Sequence, residues 1–504
     1  MSHLSSNTIG AHAGDEFNFS SAGRARPFGE LYPAQNRVYL MDLPLVMILT
    51  GLVTWLLPSN TTFVLGAAVG GLVGLYILID IVFREAPLRL SLLLAMTLLI
   101  GYNLGALNSW LTIPRGGLTI AEYFTRDPAA LARATGACMG AAALLLTLGQ
   151  LFEPPIFGRN FRVNFDERSV LIVFASMLMM VIAYATGQVG FMGVKTDDAG
   201  HTSVFGALVL WWSAPALAYS VCATLNTKGL VRLFVGVCTF IETLALIPTG
   251  RRTFAFALLL SLIASRLGGY RSRLSVWKKL FLSAGGIALV IVASIAFLYL
   301  RIAGFAHRDA TSSIGSRVSQ AVDTFQGGNL GEMVDLLRTN VSTRTFNIGY
   351  FSDLLDASQH REPLYGQVAL HNLQLMVPSS ISADKFGLDP YGEEELVDMK
   401  WGFGFTDEAN SIITGGVADF GIIGVFLYPL FAVLLLRATL ELIQYVMPTY
   451  GAVIMALAFI YVMLLAEQTL FAYLGQIRNA LIFAFLLYLL SLVPKVRLHS
   501  PGAS

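Results

Sequence analysis

The segment TFVLGAAVGGLVGLYILIDIVF, residues 62–83, contains a single charged residue, Asp80, in a run long enough to cross a lipid bilayer as a helix. About 17–25 consecutive, mostly apolar residues are needed for such a helix. Eleven further segments meet the same criterion: residues 39–57, 87–106, 129–152, 168–187, 204–225, 229–248, 252–268, 279–301, 411–436, 448–468 and 477–494. We therefore predict an all-α polytopic membrane protein with about twelve transmembrane helices.

The composition of the whole chain agrees with this fold class. Hydrophobic residues make up 55% of the 504 residues and charged residues only 13%, whereas soluble domains carry about 25% charged residues. A soluble enzyme or a nucleic-acid binder is therefore excluded. The three cysteines lie in apolar runs and the seven histidines lack metal-binding spacing, so we expect neither a disulfide framework nor a protein-built metal site.

Lysine and arginine residues between the predicted spans indicate the orientation of the chain. With a cytoplasmic N-terminus, the cytoplasmic segments carry more than twice as many of these residues as the short outer loops, in agreement with the positive-inside rule. The strongest contribution comes from RLGGYRSRLSVWKK, residues 266–279. We predict that both termini are cytoplasmic, with a disordered tail at 1–38, nine spans within 39–301, three spans within 411–494 and a short tail at 495–504.

One long segment, residues 302–410, separates spans nine and ten and faces the outside in this topology. Amphipathic patterns recur within it, so we expect a partly helical periplasmic loop domain rather than disorder. The patterns are Ile314, Val318, Ala321 and Phe325, then Leu330, Met333, Val334 and Leu337, then Phe346, Ile348, Phe351, Leu354 and Leu355. This domain is either a structured cap without chemistry or a lid over a cavity that opens outward.

Arginines gather on the predicted outer face. Arg251 and Arg252 follow a Pro-Thr-Gly turn at the start of a helix, where unpaired N–H groups and the helix dipole favour an anion. Arg478 opens the last predicted span on the same side, and Arg344 is one of several arginines in the loop. Because arginine binds phosphate in a planar, bidentate manner, the group predicts an anion site; a scatter of solvated loop charges is the alternative.

Two acids lie well inside predicted spans, away from the span ends, where a charge costs at least about 2.5–3.5 kcal/mol. Glu242 stands nine residues before Arg251, about 13 Å along a helix, and is interpreted as half of a buried ion pair that fixes helix packing. Asp419 lies in the glycine-rich sequence GGVADFGIIG and is interpreted as a hydrogen-bonded packing acid. A functional role is the alternative for each.

A general base near the arginines would have to be a carboxylate or a histidine. Asp407 and Glu408 stand at the end of the long loop, and His360, His371 and His307 lie earlier in it. Each of these residues also has a purely structural interpretation.

The chain resembles the O-antigen polymerase (Wzy-type) family of bacterial polysaccharide polymerases and the related O-antigen ligases. The resemblance covers about residues 240–495 and depends on the long outer loop late in the chain and on three loose motifs. These are PTGRRTF at 248–254, MVPSSISADK at 376–385 and NSIITGGVADFGIIGVFLYP at 410–429, in which Asp419, Phe420, Gly421 and Gly424 match an acid–aromatic–Gly–x–x–Gly opening of the span after the loop.

The resemblance implies a metal-independent membrane glycosyltransferase of the GT-C type in the bacterial inner membrane, with no cofactor. Such an enzyme joins oligosaccharide repeat units carried on undecaprenyl pyrophosphate at the periplasmic face, with the membrane lipid and possible chain-length regulator proteins as partners. Pyrophosphate binding then falls to Arg251, Arg252, Arg344 and Arg478, because preorganised cations stabilise the charge that develops on the leaving group.

The remaining site residues follow from the same resemblance. The base would be Glu408, Asp407 or His360. Trp401 and Phe403 could stack on sugar rings, although an interfacial aromatic belt explains these two residues equally well.

Three alternatives remain open at the sequence level. An O-antigen ligase would use the same chemistry with a different acceptor. A twelve-span transporter or lipid-linked glycan flippase would explain the intramembrane acids, but two corresponding halves with broken segments are not apparent. A structural partner of an envelope assembly machine would need no outward arginine cluster.

Overall fold

A computed structural model describes residues 36–84, 87–112, 126–157, 167–186, 204–247, 251–265, 346–377, 392–403, 410–447 and 449–492, together with isolated residues between 275 and 292. These parts of the chain are helical and contain no strand. Most of the predicted tails and of the ninth predicted span lie outside them, as do the first two helical patterns of the long loop.

The described helices are numbered in chain order. They are α1 Asn36–Leu56, α2 Asn60–Ile79, α3 Leu90–Leu98, α4 Gly105–Thr112, α5 Pro128–Phe152, α6 Glu167–Ala185, α7 Val204–Asn226, α8 Gly229–Leu246, α9 Arg251–Ala264, α10 Ile348–Ala357, α11 Gln367–Met376, α12 Glu393–Trp401, α13 Ile412–Phe420, α14 Ile422–Val446, α15 Thr449–Met463 and α16 Leu470–Leu492. A π-helical segment, Asp80–Arg84, extends α2. A second π-helical segment, Leu99–Leu104, joins α3 to α4.

Five of the described helical segments are long and apolar enough to cross a membrane: Asn60–Phe83, Leu90–Leu111, Pro128–Phe152, Gly229–Leu246 and Ile422–Val446. Shorter apolar helices occur at Asp42–Leu56, Ser169–Ala183, Thr253–Ala264, Tyr450–Met463 and Leu470–Leu486. The predicted helical, membrane-type architecture is therefore confirmed in its coarse form. The predicted number of twelve spans stays a prediction, because the described residues contain ten apolar helices.

The helices pack in two groups that meet at α15. In the first group α1, α2, α3 and α14 contact α5, and in the second group α6, α7, α8 and α9 pack on one another. Helix α15 contacts α3 and α14 on one side and α7 and α9 on the other. The core of the described bundle accordingly lies along α5 and α15, most of whose residues are buried.

Glycine allows α1 and α5 to approach each other closely. A Cβ atom placed on Gly51 would lie 3.1 Å from the carbonyl oxygen of Gly136. The Thr54 hydroxyl donates to the Gly51 carbonyl at 2.8 Å, so it is satisfied within its own helix. Small residues of this kind are typical of helix contacts in membranes, where association depends on close van der Waals packing.

Carboxylates from the loops cap two helices of the first group. Glu153 accepts from the backbone N–H groups of Leu90 and Ser91 at 2.7 and 3.0 Å, at the start of α3. Asp127 accepts from Ala130 N–H at 3.0 Å at the start of α5. An anionic cap satisfies N–H groups that have no partner inside the helix and complements the helix dipole.

The segment 411–436, predicted as one continuous span, is divided into α13 and α14 at Gly421. Gly421 has a φ of +59°, a conformation that glycine adopts at little cost. The chain folds back at this point, and the backbones of Gly416 and Gly424 come into direct contact. The hydropathy of the segment did not reveal the break because both pieces are apolar; the glycines in it were the relevant signal.

The third helical pattern of the long loop is confirmed by α10. Phe351, Leu354 and Leu355 are buried on the side of α10 that faces the bundle, and α10 packs against α5 and α13. An ion pair of 3.1 Å between Arg126, just before α5, and Asp353 holds it there. This part of the loop is therefore an integral layer of the helical bundle.

Candidate functional site

Helix α11 of the long loop begins on a carboxylate from another helix. Asp419, near the end of α13, is fully buried and accepts from the backbone N–H groups of Val368 and Ala369 at 2.9 and 3.0 Å. The Tyr428 hydroxyl of α14 donates to the same carboxylate. The interpretation of Asp419 as a hydrogen-bonded packing acid is confirmed, and its specific task is to cap α11.

The turn that leads into α11 is bound to the same region. The backbone N–H groups of Leu364 and Tyr365 donate to the carbonyls of Ala418 and Asp419 at 2.9 and 3.0 Å. Tyr365 has a φ of +50° and Gly366 a φ of +89°. A left-handed tyrosine costs about 1–3 kcal/mol and persists only where the surrounding contacts enforce it; the four hydrogen bonds to residues 418 and 419 do so here.

The other end of α11 lies against an arginine of the last helix. Arg478 Nη1 donates to the Met376 carbonyl at 2.6 Å, and its Nε and Nη2 donate to Asn479 Oδ1 at 3.3 and 3.2 Å. A carboxylate at the N-terminus and a guanidinium at the C-terminus both complement the dipole of α11. We refer to α11, Gln367–Met376, held between Asp419 and Arg478, as the clamped helix.

A second buried acid, Glu393, lies beside the clamped helix. It is the first residue of α12 and is 6% exposed. Asn372 Nδ2 of the clamped helix donates to Glu393 Oε2 at 2.8 Å, and a Cβ atom on Gly415 of α13 would lie 2.8 Å from Oε1. Burial raises the pKa of Glu393 to about 8, with the charges of Asp419 and Glu394 acting in the same direction and the Asn372 hydrogen bond opposing them.

His371 precedes Asn372 on the clamped helix and is also buried. Its Nε2 atom has no hydrogen-bond partner in the described part of the chain. Burial lowers the pKa of this imidazole, against the opposing effect of Glu395. Near pH 7 the site therefore holds a neutral carboxyl and a neutral imidazole, one able to donate a proton and the other able to accept one.

The predicted aromatic residues lie together with a loop arginine. Trp401 is 3% exposed, and its indole N–H donates to the Glu362 carbonyl at 3.3 Å. Its ring lies 6.1 Å from that of half-buried Phe403, and the Arg361 guanidinium lies 5.3 Å above the Phe403 ring. A sugar approaching this group would meet Phe403 and Arg361 before Trp401. Neighbouring His360 is exposed at the surface.

The arginine pair stands at the start of a helix, as predicted. Helix α9 begins at Arg251, and the Thr253 hydroxyl faces that of Tyr461 on α15. The side chains of Arg251 and Arg252 lie outside the described residues, as do Arg344, Asp407 and Glu408. Their grouping with Arg478 stays a prediction.

The site is joined to the middle of the helical segment Leu90–Leu111. Tyr102 shares a hydrogen bond with Ser411, the residue that caps α13. The Phe351 ring of α10 packs edge-on against Tyr102, with centroids 5.6 Å apart. The loop helices thus contact the bundle at a residue about 18 Å along the segment from Leu90.

Glu242 of α8, the other acid predicted inside a span, has surroundings unlike those of Asp419. It is fully buried, and in the described part of the chain its carboxylate oxygens have no hydrogen-bond partner. The Ser220 hydroxyl faces it without completing a hydrogen bond. The predicted ion pair with Arg251 stays a prediction, because the side chain of Arg251 lies outside the described residues.

Sequence reasoning missed Glu393 and the pairing of Arg478 with Met376. Glu393 belongs to a run of three glutamates, which reads as a solvated helix start, and its burial depends on Asn372 and Gly415 from two other helices. Among the described residues, no group of three or more His, Cys, Asp or Glu side chains is arranged to hold a metal ion.

No protein-family model matches the chain, and neither a curated protein nor a solved structure is significantly similar to it.

Proposed function

We propose that the protein is a polysaccharide polymerase that joins lipid-pyrophosphate-linked repeat units at the outer face of a bacterial inner membrane. The observation that carries the proposal is the buried site beside the clamped helix. There the long loop places Glu393, a buried carboxyl, on α12 and His371 on the clamped helix, which packs against α13 and the apolar helix α16. The Nε2 atom of His371 has no partner among the described residues. The motif resemblance of residues 240–495 supplies the substrate class.

The reaction needs one proton acceptor and one anion site. A hydroxyl of the acceptor glycan attacks the anomeric carbon of the donor, the bond from that carbon to the pyrophosphate oxygen breaks, and the hydroxyl proton passes to a base. In this proposal His371, being neutral, is a base candidate of the described site, beside Asp407, Glu408 and His360 of the same loop. General base catalysis of this kind contributes about 10²–10⁴-fold in rate.

The leaving pyrophosphate is assigned to the arginines. Arg251 and Arg252 occupy a helix N-terminus, where backbone N–H groups add to their charge, and Arg344 lies in the loop. Arg478 already makes three hydrogen bonds within the protein, and since a guanidinium has five N–H donors, it retains two for a phosphate oxygen. The GT-C arrangement of the helices is part of the same proposal.

The first experiment deletes the gene in its host and separates surface glycans and lipid-linked glycans by gel electrophoresis. Loss of long polymer while single repeat units remain on their lipid is the expected result. Long polymer that stays on its carrier would indicate the ligase alternative. An unchanged profile would overturn the enzyme proposal in favour of a transporter or structural role.

Complementation with site variants then tests the assignment of residues. We expect His371→Gln, Glu393→Gln and the double variant Arg251→Ala/Arg252→Ala to reduce polymer yield at least tenfold at normal membrane abundance. Asp356→Ala, an exposed acid on α10, is the matched control and should restore the full ladder of polymer lengths. Normal ladders from all three site variants would refute the site.

A further inference from the structure

Helix α8 forms an exposed edge of the described bundle. Its buried residues are confined to one stripe, Val235, Cys238, Glu242 and Leu246, which faces α6 and α7. The opposite side carries large apolar residues in the open, with Leu230 83% and Phe240 62% exposed. Because Gly229–Leu246 is long and apolar enough to span a membrane, this side is suited to contact lipid.

A groove of about 450 Å³ runs along α8 where it meets α7. It is lined by Thr224 of α7 and by residues of α8 at helical spacing: Gly229, Arg232, Leu233, Gly236, Val237 and Phe240. A volume of about 300–1,000 Å³ is usual for small-molecule sites. The groove is open at Gly236, where an added Cβ atom would have only Thr224 Cγ2 within 4 Å, at 3.7 Å.

One end of the groove is cationic and the rest is apolar. Arg232 lines it in the first turn of α8, and exposed Lys228 precedes the helix. Neither forms an ion pair among the described residues. Helix α7 contains no charged residue, and the acid of α8, Glu242, stands ten residues beyond Arg232, about 15 Å along the axis.

We propose that this groove binds an anionic phospholipid of the surrounding bilayer. One acyl chain lies along Leu233, Gly236, Val237 and Phe240, and the phosphate contacts Arg232 and Lys228. The first turn of a membrane-spanning helix lies at headgroup level, where basic side chains attract anionic lipids. Two cations that have no counter-ion in the described part of the chain select a headgroup with net negative charge over a zwitterionic one. The proposal does not depend on the proposed polymerase activity.

The test is native mass spectrometry of the purified full-length protein with equimolar phosphatidylglycerol and phosphatidylethanolamine. We expect preferential retention of phosphatidylglycerol, and we expect Arg232→Gln to reduce that preference roughly fivefold, as the loss of one interfacial cation predicts. Gly236→Leu adds a side chain inside the groove, with its Cβ atom in ordinary van der Waals contact with Thr224; it keeps both cations and should remove the most tightly retained lipid. Leu244→Ala, an exposed apolar residue of α8 outside the groove, is the control and should match wild type.

Two results would overturn the proposal. One is equal retention of both lipids by the wild type. The other is lipid profiles for Arg232→Gln and Gly236→Leu that equal the Leu244→Ala profile. Gly236→Ala, which removes less of the groove, provides a graded second variant if the leucine variant does not fold. An uncharged isoprenoid that displaces phosphatidylglycerol from the wild type would also contradict the assigned occupant.

Discussion

The clamped helix α11 and the peripheral helix α8 are positioned by opposite means. The clamped helix has ten residues and three of them buried, Val368, His371 and Asn372, yet carboxylate and guanidinium groups from other helices bind both of its ends. Helix α8 has eighteen mostly apolar residues and a single described hydroxyl contact to α7, 2.9 Å between Thr224 and Thr239.

The difference shows what positions a helix when lipid surrounds the protein. Apolar side chains gain little by leaving lipid for another apolar surface, so association depends on close packing and on polar contacts. The clamped helix has the polar contacts, and α8 presents its apolar side outward. Substitutions at the two helices test this difference, and the variant with the largest expected loss of stability comes first.

Removing the carboxylate at the N-terminus of the clamped helix should reduce stability the most. Asp419→Ala leaves the N–H groups of Val368 and Ala369 and the Tyr428 hydroxyl without their acceptor. Each unsatisfied buried donor costs about 1–3 kcal/mol, so we expect the free energy of unfolding to fall by about 3–5 kcal/mol in a denaturation titration in detergent. Asp356→Ala is the control, and equal losses for both variants would contradict the capping role.

The turn that carries Asp419 should be almost as sensitive. A Cβ atom on Gly424 would overlap the Gly416 carbonyl, and overpacking of this kind costs about 1–3 kcal/mol. Gly475→Ala in α16 is the matched control because nothing lies within 4 Å of its added Cβ atom. We expect a lower unfolding midpoint for Gly424→Ala and an unchanged or higher one for Gly475→Ala; the reverse order would refute the close contact.

Glu393, beside the clamped helix, should make the stability of the protein depend on pH. Because the pKa of Glu393 is raised to about 8 in the folded state, the folded protein holds a proton that the unfolded chain releases above its ordinary pKa. Stability from this group is complete at low pH and decreases as pH rises to about 8, by about 1–2 kcal/mol between pH 6.5 and 8.

Unfolding midpoints measured across that interval test the prediction. His371, whose pKa is lowered by burial, acts in the opposite direction, because the unfolded imidazole binds a proton as pH falls toward its ordinary pKa of about 6.5, and most of that effect lies below the interval. Glu393→Gln should flatten the dependence, whereas Glu362→Gln, an exposed acid, should leave it intact. A wild-type midpoint that rises over this range would show that the carboxyl is ionised in the folded state.

Weakening the contact at the C-terminus of the clamped helix should reduce stability by a smaller amount. Arg478→Gln removes the bond to the Met376 carbonyl and the charge at the end of the helix dipole. Since the side chain is only half buried, solvent screening limits the expected loss to about 1 kcal/mol. The free energy of unfolding of Arg478→Gln should then lie between those of wild type and Asp419→Ala. A larger loss than that of Asp419→Ala would mean that the C-terminal contact matters more than the N-terminal one.

Substitution on the outer side of α8 should have almost no effect. Leu230→Ala changes a residue that is 83% exposed, so we expect a change below about 0.5 kcal/mol in the free energy of unfolding. A loss of 2 kcal/mol or more would mean that this side of α8 is packed against protein, and the contrast with the clamped helix would no longer hold.

The helical, membrane-type character of the chain and most of the described apolar helices can be predicted from the amino-acid sequence. A span is a local property, since bilayer thickness requires a continuous apolar run that can be read from adjacent residues. Local signals also pointed to Asp419, a costly charge among glycines, and to the start of a helix at Arg251.

The contacts that these residues make depend on how the chain folds. Asp419 meets N–H groups fifty and fifty-one residues earlier in the chain, and Arg478 meets a carbonyl 102 residues earlier. The pKa of Glu393 is raised because packing around it excludes water. Gly421 divides a run of residues that is apolar throughout. Hydrogen-bond partners and burial depend on which remote segments come together, and no local pattern of residue types specifies them.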